Sequence, residues 1–180
     1  MLTGSDTYKV DMIFEPQLER TFEYQFIGSG ETQDYALSTR DAQGSLGEYI
    51  TFEEETIQDV PADTATPFSF TLKLPENLEP GMHEAWINVA ETKSPSGTLG
   101  ATSSVAIRLF VRSLFEDPTT IWTTKTNFDS KEEQLSLIFE VENWWEKDMT
   151  NVKASVEAKR GTLIAGQASS DNIVIERGKK

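Results

Sequence analysis

Apolar and polar residues alternate along most of this chain with a period of two, the signature of strands that bury one face. Tyr8, Val10, Met12 and Phe14 make the first such run, which ends at Pro16, and Phe22, Tyr24 and Phe26 repeat it before Gly28-Ser29-Gly30. Tyr35 with Leu37, then Ile50 with Phe52, continue the series, while Glu53-Glu54-Glu55 reads as a solvated edge or turn. Val60-Pro61-Ala62-Asp63 is a turn-rich link. Phe68, Phe70, Leu72 and Leu74 then alternate up to Pro75 and give the clearest strand of the chain. After Pro80-Gly81, the residues His83, Ala85, Ile87 and Val89 share one face and Trp86 takes the other. A Ser/Pro/Gly loop from Thr92 to Ala101 leads to a matching strand at Val105, Ile107, Leu109 and Val111, so the two predict a long hairpin with a variable tip.

Asp117-Pro118 interrupts the pattern, and the alternation resumes beyond it. Ile121 and Trp122 open a strand, and Leu135, Leu137, Phe139 and Val141 form a strong one. A polar turn from Asn143 to Asp148 carries Trp144 and Trp145; Val152, Ala154 and Val156 then read as one further strand. Leu163 with Ile164, and Ile173 with Ile175, predict two short ones. About seven or eight strands, separated by turn signals, fit a β-sandwich in the first part of the chain, and no helical period competes. The expected organisation is a sandwich over residues 1–113, a linker over 114–119, and a second sandwich over 120–180 that is short or truncated at its end.

The stretch Leu135-Ser-Leu-Ile-Phe-Glu-Val-Glu-Asn143, followed by a turn and Thr150-Asn-Val-Lys-Ala-Ser-Val-Glu157, resembles the adhesion-related (CARDB-like) and α-galactosidase-associated immunoglobulin-like modules of bacterial and archaeal surface proteins. Pro67-Phe-Ser-Phe-Thr-Leu-Lys-Leu-Pro75 and Glu79-Pro-Gly-Met-His-Glu-Ala-Trp-Ile-Asn-Val89 are a looser match, similar to the strand, Pro-Gly turn and strand of those modules and of periplasmic-chaperone-like sandwiches. The resemblance implies an all-β chain of tandem immunoglobulin-like antiparallel β-sandwiches in an extracellular or cell-surface setting, excised from a longer polypeptide. In the resembled modules another strand follows the segment matched by Ile173 to Gly178. A boundary set too early, a natural truncation and completion by another chain all account for its absence here. The first is preferred, because an open edge is an aggregation liability.

Composition narrows the function. The formal charge of −14 sets the average field against nucleic acid and anionic lipid. Cysteine is absent, which removes disulfides, thiolate zinc sites and cysteine nucleophiles together. No run approaches the roughly 20 apolar residues needed to span a bilayer, so no membrane insertion is expected within this chain.

Reactive chemistry has little to work with. His83 is the single histidine, read as a partly exposed residue near a strand end. Among 30 acidic residues no carboxylate pair stands out. Glu53-Glu54-Glu55 and the group Asp129, Glu132 and Glu133 are candidates for structural calcium, but they lack Asp-x-Asp-x-Asp or EF-hand spacing and read more simply as solvated loops. Cofactors are otherwise expected to be none. Trp144 and Trp145 are the candidate contact residues, because adjacent indoles in a turn suit stacking on a sugar or anchoring a protein. Trp86 and Trp122 are expected to pack. The expectation is therefore a non-enzyme, a structural or adhesive surface module with a protein or glycan partner. The alternatives are a carbohydrate-binding accessory module and a strand-pairing, chaperone-like scaffold.

Overall fold

A computed structural model of the chain describes residues 8–28, 31–92, 104–129 and 134–179. Most of the loop after Thr92, and Glu132 and Glu133 of the candidate calcium group, lie outside the described residues. The chain divides into two compact units, Met1–Ser113 and Leu114–Lys180. Both are built of strands.

The first unit contains β1 (Lys9–Ile13), β2 (Glu19–Ile27), β3 (Gln33–Gln43), a single 3-10 turn (Leu46–Tyr49), β4 (Ile50–Phe52), β5 (Thr56–Val60), β6 (Ala65–Lys73), β7 (Gly81–Glu91) and β8 (Ser104–Ser113). They form a five-stranded sheet ordered β1-β8-β7-β3-β5 and a three-stranded sheet ordered β2-β6-β4. This is the strand arrangement of an immunoglobulin-like sandwich. β7 and β8 make the expected hairpin, in register from Gly81↔Ser113 to Ala90↔Ser104. β1 runs parallel to β8, from Lys9↔Arg108 to Ile13↔Arg112.

The core follows from the alternation. His83, Ala85, Ile87 and Val89 of β7 and Ile107, Leu109 and Val111 of β8 are buried from one sheet, and Phe22, Phe26, Phe68, Phe70 and Leu72 are buried from the other. Aromatic rings carry much of the contact: Phe22 and Phe70 stack with centroids 5.0 Å apart, Tyr24 lies parallel to Phe70 at 5.9 Å, and Phe26 meets Tyr35 at 4.7 Å. Fully burying one such side chain contributes about 1.5–3 kcal/mol. Two elements lack an alternating signature: β5, whose sequence Thr-Ile-Gln-Asp-Val is mostly polar, and the 3-10 turn that seats Leu46 at the core. His83 departs from the expectation of partial exposure. It sits on the buried face of β7, with Nε2 donating to the Glu79 carbonyl at 2.8 Å. That carbonyl can only accept, so Nε2 carries the proton, and Nδ1 is buried without a hydrogen-bond partner among the described residues.

The second unit contains β9 (Thr120–Asp129), β10 (Gln134–Asn143), β11 (Met149–Val152), β12 (Ser155–Arg160), β13 (Leu163–Ser169) and β14 (Ile173–Ile175). They pair as three separate ribbons, β10-β9, β11-β14 and β12-β13. The single strand expected through Val152, Ala154 and Val156 is broken into β11 and β12. Asn151 adopts a left-handed φ of 58°, the β11-β14 register shifts there, and the Ala154 N–H turns aside to the Ser170 hydroxyl at 3.0 Å. Among the described residues, the buried apolar side chains of this unit are Leu114, Trp144 and Ile175 alone.

Candidate functional site

Asn143 ends β10 and is fully buried, which for an amide demands partners on every side. It has them. Its Oδ1 accepts from the Trp145 N–H at 2.9 Å, and its Nδ2 donates to the carbonyls of Lys147 (2.8 Å) and Ile175 (3.0 Å), with Glu176 at 3.3 Å. Its own N–H donates to the Lys179 carbonyl at 2.8 Å. One side chain thus fastens the turn after β10 to the end of β14. Asp148 adds a second clasp by accepting from the Arg177 N–H at 2.8 Å.

The two candidate tryptophans belong to this corner and are placed differently. Trp144 is only 3% exposed; its indole N–H donates to Glu142 at 3.1 Å and its ring leans on Phe115 at 6.5 Å. It has no open face to offer a ligand. Trp145 is half-buried, donates to the Glu116 carbonyl at 2.8 Å, and carries the Lys147 ammonium 5.5 Å over its ring. The segment expected to be a linker is bonded into the same corner: Phe115 donates to the Trp144 carbonyl at 2.8 Å and accepts from the Glu146 N–H at 3.1 Å, and Trp144 donates to the Thr119 carbonyl at 3.0 Å.

Below the corner the unit is open. β10 pairs with β9 on one side and β14 with β11, and between β10 and β14 lies a slot of about 610 Å³. Phe139, Val141, Ile173, Val174 and Ile175 line it, with Glu140, Glu176 and Lys179 at its rim. Phe139 keeps 36% of its surface exposed, and Ile173 and Val174 keep 52% and 61%. The alternation marks Phe139, Val141, Ile173 and Ile175 as strand residues and singles out none of them as a site. Alternation says which way a side chain points; it does not say whether anything covers it. Trp122, expected to pack, is 64% exposed.

A catalytic or metal-binding centre is not assembled among the described residues. Among the described residues, no group of three or more His, Cys, Asp or Glu is placed to hold an ion. His83 faces the core with Gly44 against its ring. Among the described residues, no helix is long and apolar enough to cross a membrane. What the second unit offers, among the described residues, is an apolar slot between two strands that do not pair with each other, pinned at one end by Asn143, and such a gap can bind an extended backbone.

No protein-family model matches this chain, and no curated protein matches it. Solved structures similar to it include the periplasmic chaperone SfaE, at 11% identity and a TM-score of 0.42 over 96% of this chain and 82% of that one. The class 5 fimbriae chaperone CfaA is similar at 12% identity and a TM-score of 0.38, over 94% of this chain and 80% of that one.

Proposed function

We propose that this chain is a non-catalytic, protein-binding β-module whose second unit accepts an extended segment from a protein partner, with the first unit as its packed scaffold. The observation that carries this reading is the slot between β10 and β14. Large apolar side chains line it, its two strands pair, among the described residues, only with β9 and β11, and a buried asparagine holds one end at fixed width. Contiguous exposed apolar surface of this kind marks interaction sites in soluble proteins, and unpaired strand edges recruit strands. A segment alternating apolar and polar residues would place its apolar side on Phe139, Val141 and Ile173 while its backbone satisfies β10 or β14.

The setting we propose is extracellular or cell-surface, in keeping with the resemblance of Leu135 to Glu157 to surface immunoglobulin-like modules. A structural or adhesive role uses the same parts, because a packed sandwich serves as a spacer while the open slot does the binding. The test is benzoylphenylalanine in place of Phe139 in the full chain, photolysed in the producing cells. Cross-links mapped by mass spectrometry to one extended segment of a partner support the reading. Slow amide exchange throughout β10 and β14 in the purified monomer, together with no cross-link, would show the slot already closed and overturn it.

A further inference from the structure

The first unit carries an open strand edge of different chemistry, independent of the slot just described. β6 pairs with β2 along its whole length but with β4 only over Phe70 to Leu72, where Ile50, Thr51 and Phe52 are the partners. After Phe52 the chain turns away through Glu53, Glu54 and Glu55 and joins the other sheet as β5. Among the described residues, nothing pairs with Ala65 to Ser69 on the side β4 has left.

The parity of the ladder fixes which backbone groups face that gap. Leu74 donates to the Leu18 carbonyl at 2.9 Å, and the Thr64 carbonyl accepts from Gly28 at 3.4 Å, so the even residues of this strand bond towards β2. Ala65, Pro67 and Ser69 therefore direct their backbone groups outward. Pro67 is tolerated there because it has no N–H to satisfy, and it leaves a bare carbonyl at the middle of the edge.

A groove of about 820 Å³ opens beside this edge, at the seam of the two sheets. Its floor is apolar, formed by Tyr24, Leu37, Ile57 and Phe68, and its rim carries Glu23, Glu53 and Glu54. No lining residue is basic. The Ser69 hydroxyl is already given to the Glu53 carboxylate at 2.8 Å. The rim and edge thus present carboxylates and carbonyls in excess of donors, above an apolar floor.

We infer that this groove binds an extended segment in which lysine or arginine alternates with an apolar residue, the segment continuing the line of β4 along β6. The cations meet Glu23 and Glu54 and donate to the Pro67 carbonyl, and the apolar side chains enter between Tyr24 and Ile57. The unpaired edge from Ala65 to Ser69 spans about 13 Å between its end Cα atoms at the rise of a strand, a length that a hexapeptide covers.

The probe is a fluorescein-labelled lysine–valine hexapeptide titrated into the full chain by anisotropy, beside glutamate–valine and lysine–serine peptides. The lysine–valine peptide should bind, the lysine–serine peptide about 10-fold more weakly and the glutamate–valine peptide not at all. Because a chain of charge −14 attracts any polycation, two variants of equal charge decide the site. Glu23→Lys with Glu54→Lys should weaken binding about 10-fold or more, and Glu146→Lys with Asp171→Lys should leave it within about 2-fold. Amide exchange at Ser69 should slow on binding. Equal losses in both double variants, or a Ser69 amide unchanged in saturated complex, would overturn the inference whatever the second unit does.

Discussion

β7 and β10 are written in the same pattern and come to different ends. In β7 the inward residues from His83 to Val89 are all buried, because β2 and β6 supply a second sheet to lie against. In β10, Leu137 and Phe139 occupy equivalent alternate positions yet remain 37% and 36% exposed. The second unit holds ribbons in place of facing sheets. A sandwich gains its stability from the layer between sheets, so the first unit is stabilised by packing and the second by local hydrogen bonds around Asn143. The units are therefore expected to respond in opposite ways to the loss of an apolar side chain and the loss of a polar one.

The sharpest test of that contrast is a pair of phenylalanines. Phe70 is fully buried and touches the rings of Phe22, Tyr24 and Phe52. Phe70→Ala should destabilise the first unit by about 3–5 kcal/mol, the range for a large cavity in a packed core. Phe139→Ala should cost the second unit no more than about 1 kcal/mol, since little packing is lost where solvent already reaches the ring. Urea melts followed by far-ultraviolet circular dichroism give both values, and equal losses would mean that the second unit has a closed core after all.

The reverse experiment removes an amide. Asn143→Ala strips partners from the Trp145 N–H and from the carbonyls of Lys147 and Ile175. Burying such groups unpaired costs about 1–3 kcal/mol each before water enters to relieve them, so a net loss of about 2–3 kcal/mol is expected, confined to the second unit. Fluorescence of Trp144 and Trp145 against urea reports it. Retention of the wild-type midpoint would show that the corner is held by something other than Asn143.

These contrasts explain what was legible in the sequence. Alternation is a property of one strand, so β2, β6, β7, β8 and β10 could be read residue by residue. Coverage is a property of two strands distant in sequence, and nothing local distinguishes Ile87, which is covered, from Phe139, which is not. β5 escaped because an edge strand flanked by solvent tolerates Thr, Gln and Asp, and the break at Asn151 escaped because a left-handed asparagine leaves the apolar spacing of its neighbours intact. Asn143 is legible as the last residue of the stretch that resembles the surface modules and as the start of a polar turn, but not as a buried amide. The signal that would have singled it out is a lone amide between the apolar end of β10 and a tryptophan pair. Pro67 carried a legible clue of the same kind: a proline inside the best strand of the chain has to face an unpaired edge.

A smaller effect is expected where the first unit packs backbone against a ring. Gly44 has a φ of 71°, and a Cβ placed on it would overlap Nδ1 of His83. Gly44→Ala combines a strained φ with displacement of a buried ring, for an expected loss of about 1–3 kcal/mol. The double variant with His83→Ala should recover part of that loss, because the ring that opposes the methyl is gone; what remains measures the strain of the backbone alone. An additive result, read from the same urea melts, would mean that the two residues do not meet.

The smallest effect lies on the outer face of the first unit, where packing gives way to electrostatics. Glu84, 14% exposed, accepts from Arg108 Nη2 at 2.8 Å and from the Trp86 indole at 2.8 Å, while the Arg108 and Arg40 guanidiniums lie 5.5 and 5.4 Å over the Trp86 ring. Burial pushes the Glu84 carboxyl up, but the hydrogen bonds from Arg108 and Trp86 and the charges of Arg108 and Lys9 outweigh it and hold the pKa below the ordinary 4.5. A carboxylate depressed in the folded state stabilises the fold fully above its unfolded pKa and loses that contribution as the pH falls through its folded value. Glu84→Gln should therefore cost at most about 1 kcal/mol at neutral pH, given how much of Arg108 is open to solvent. The gap to the wild type should close as the solution is acidified past 4.5 towards the folded pKa. Urea midpoints of the two proteins across that range settle it: a gap that stays constant would mean the glutamate acts through packing, and one that widens in acid would reverse the sign of the linkage.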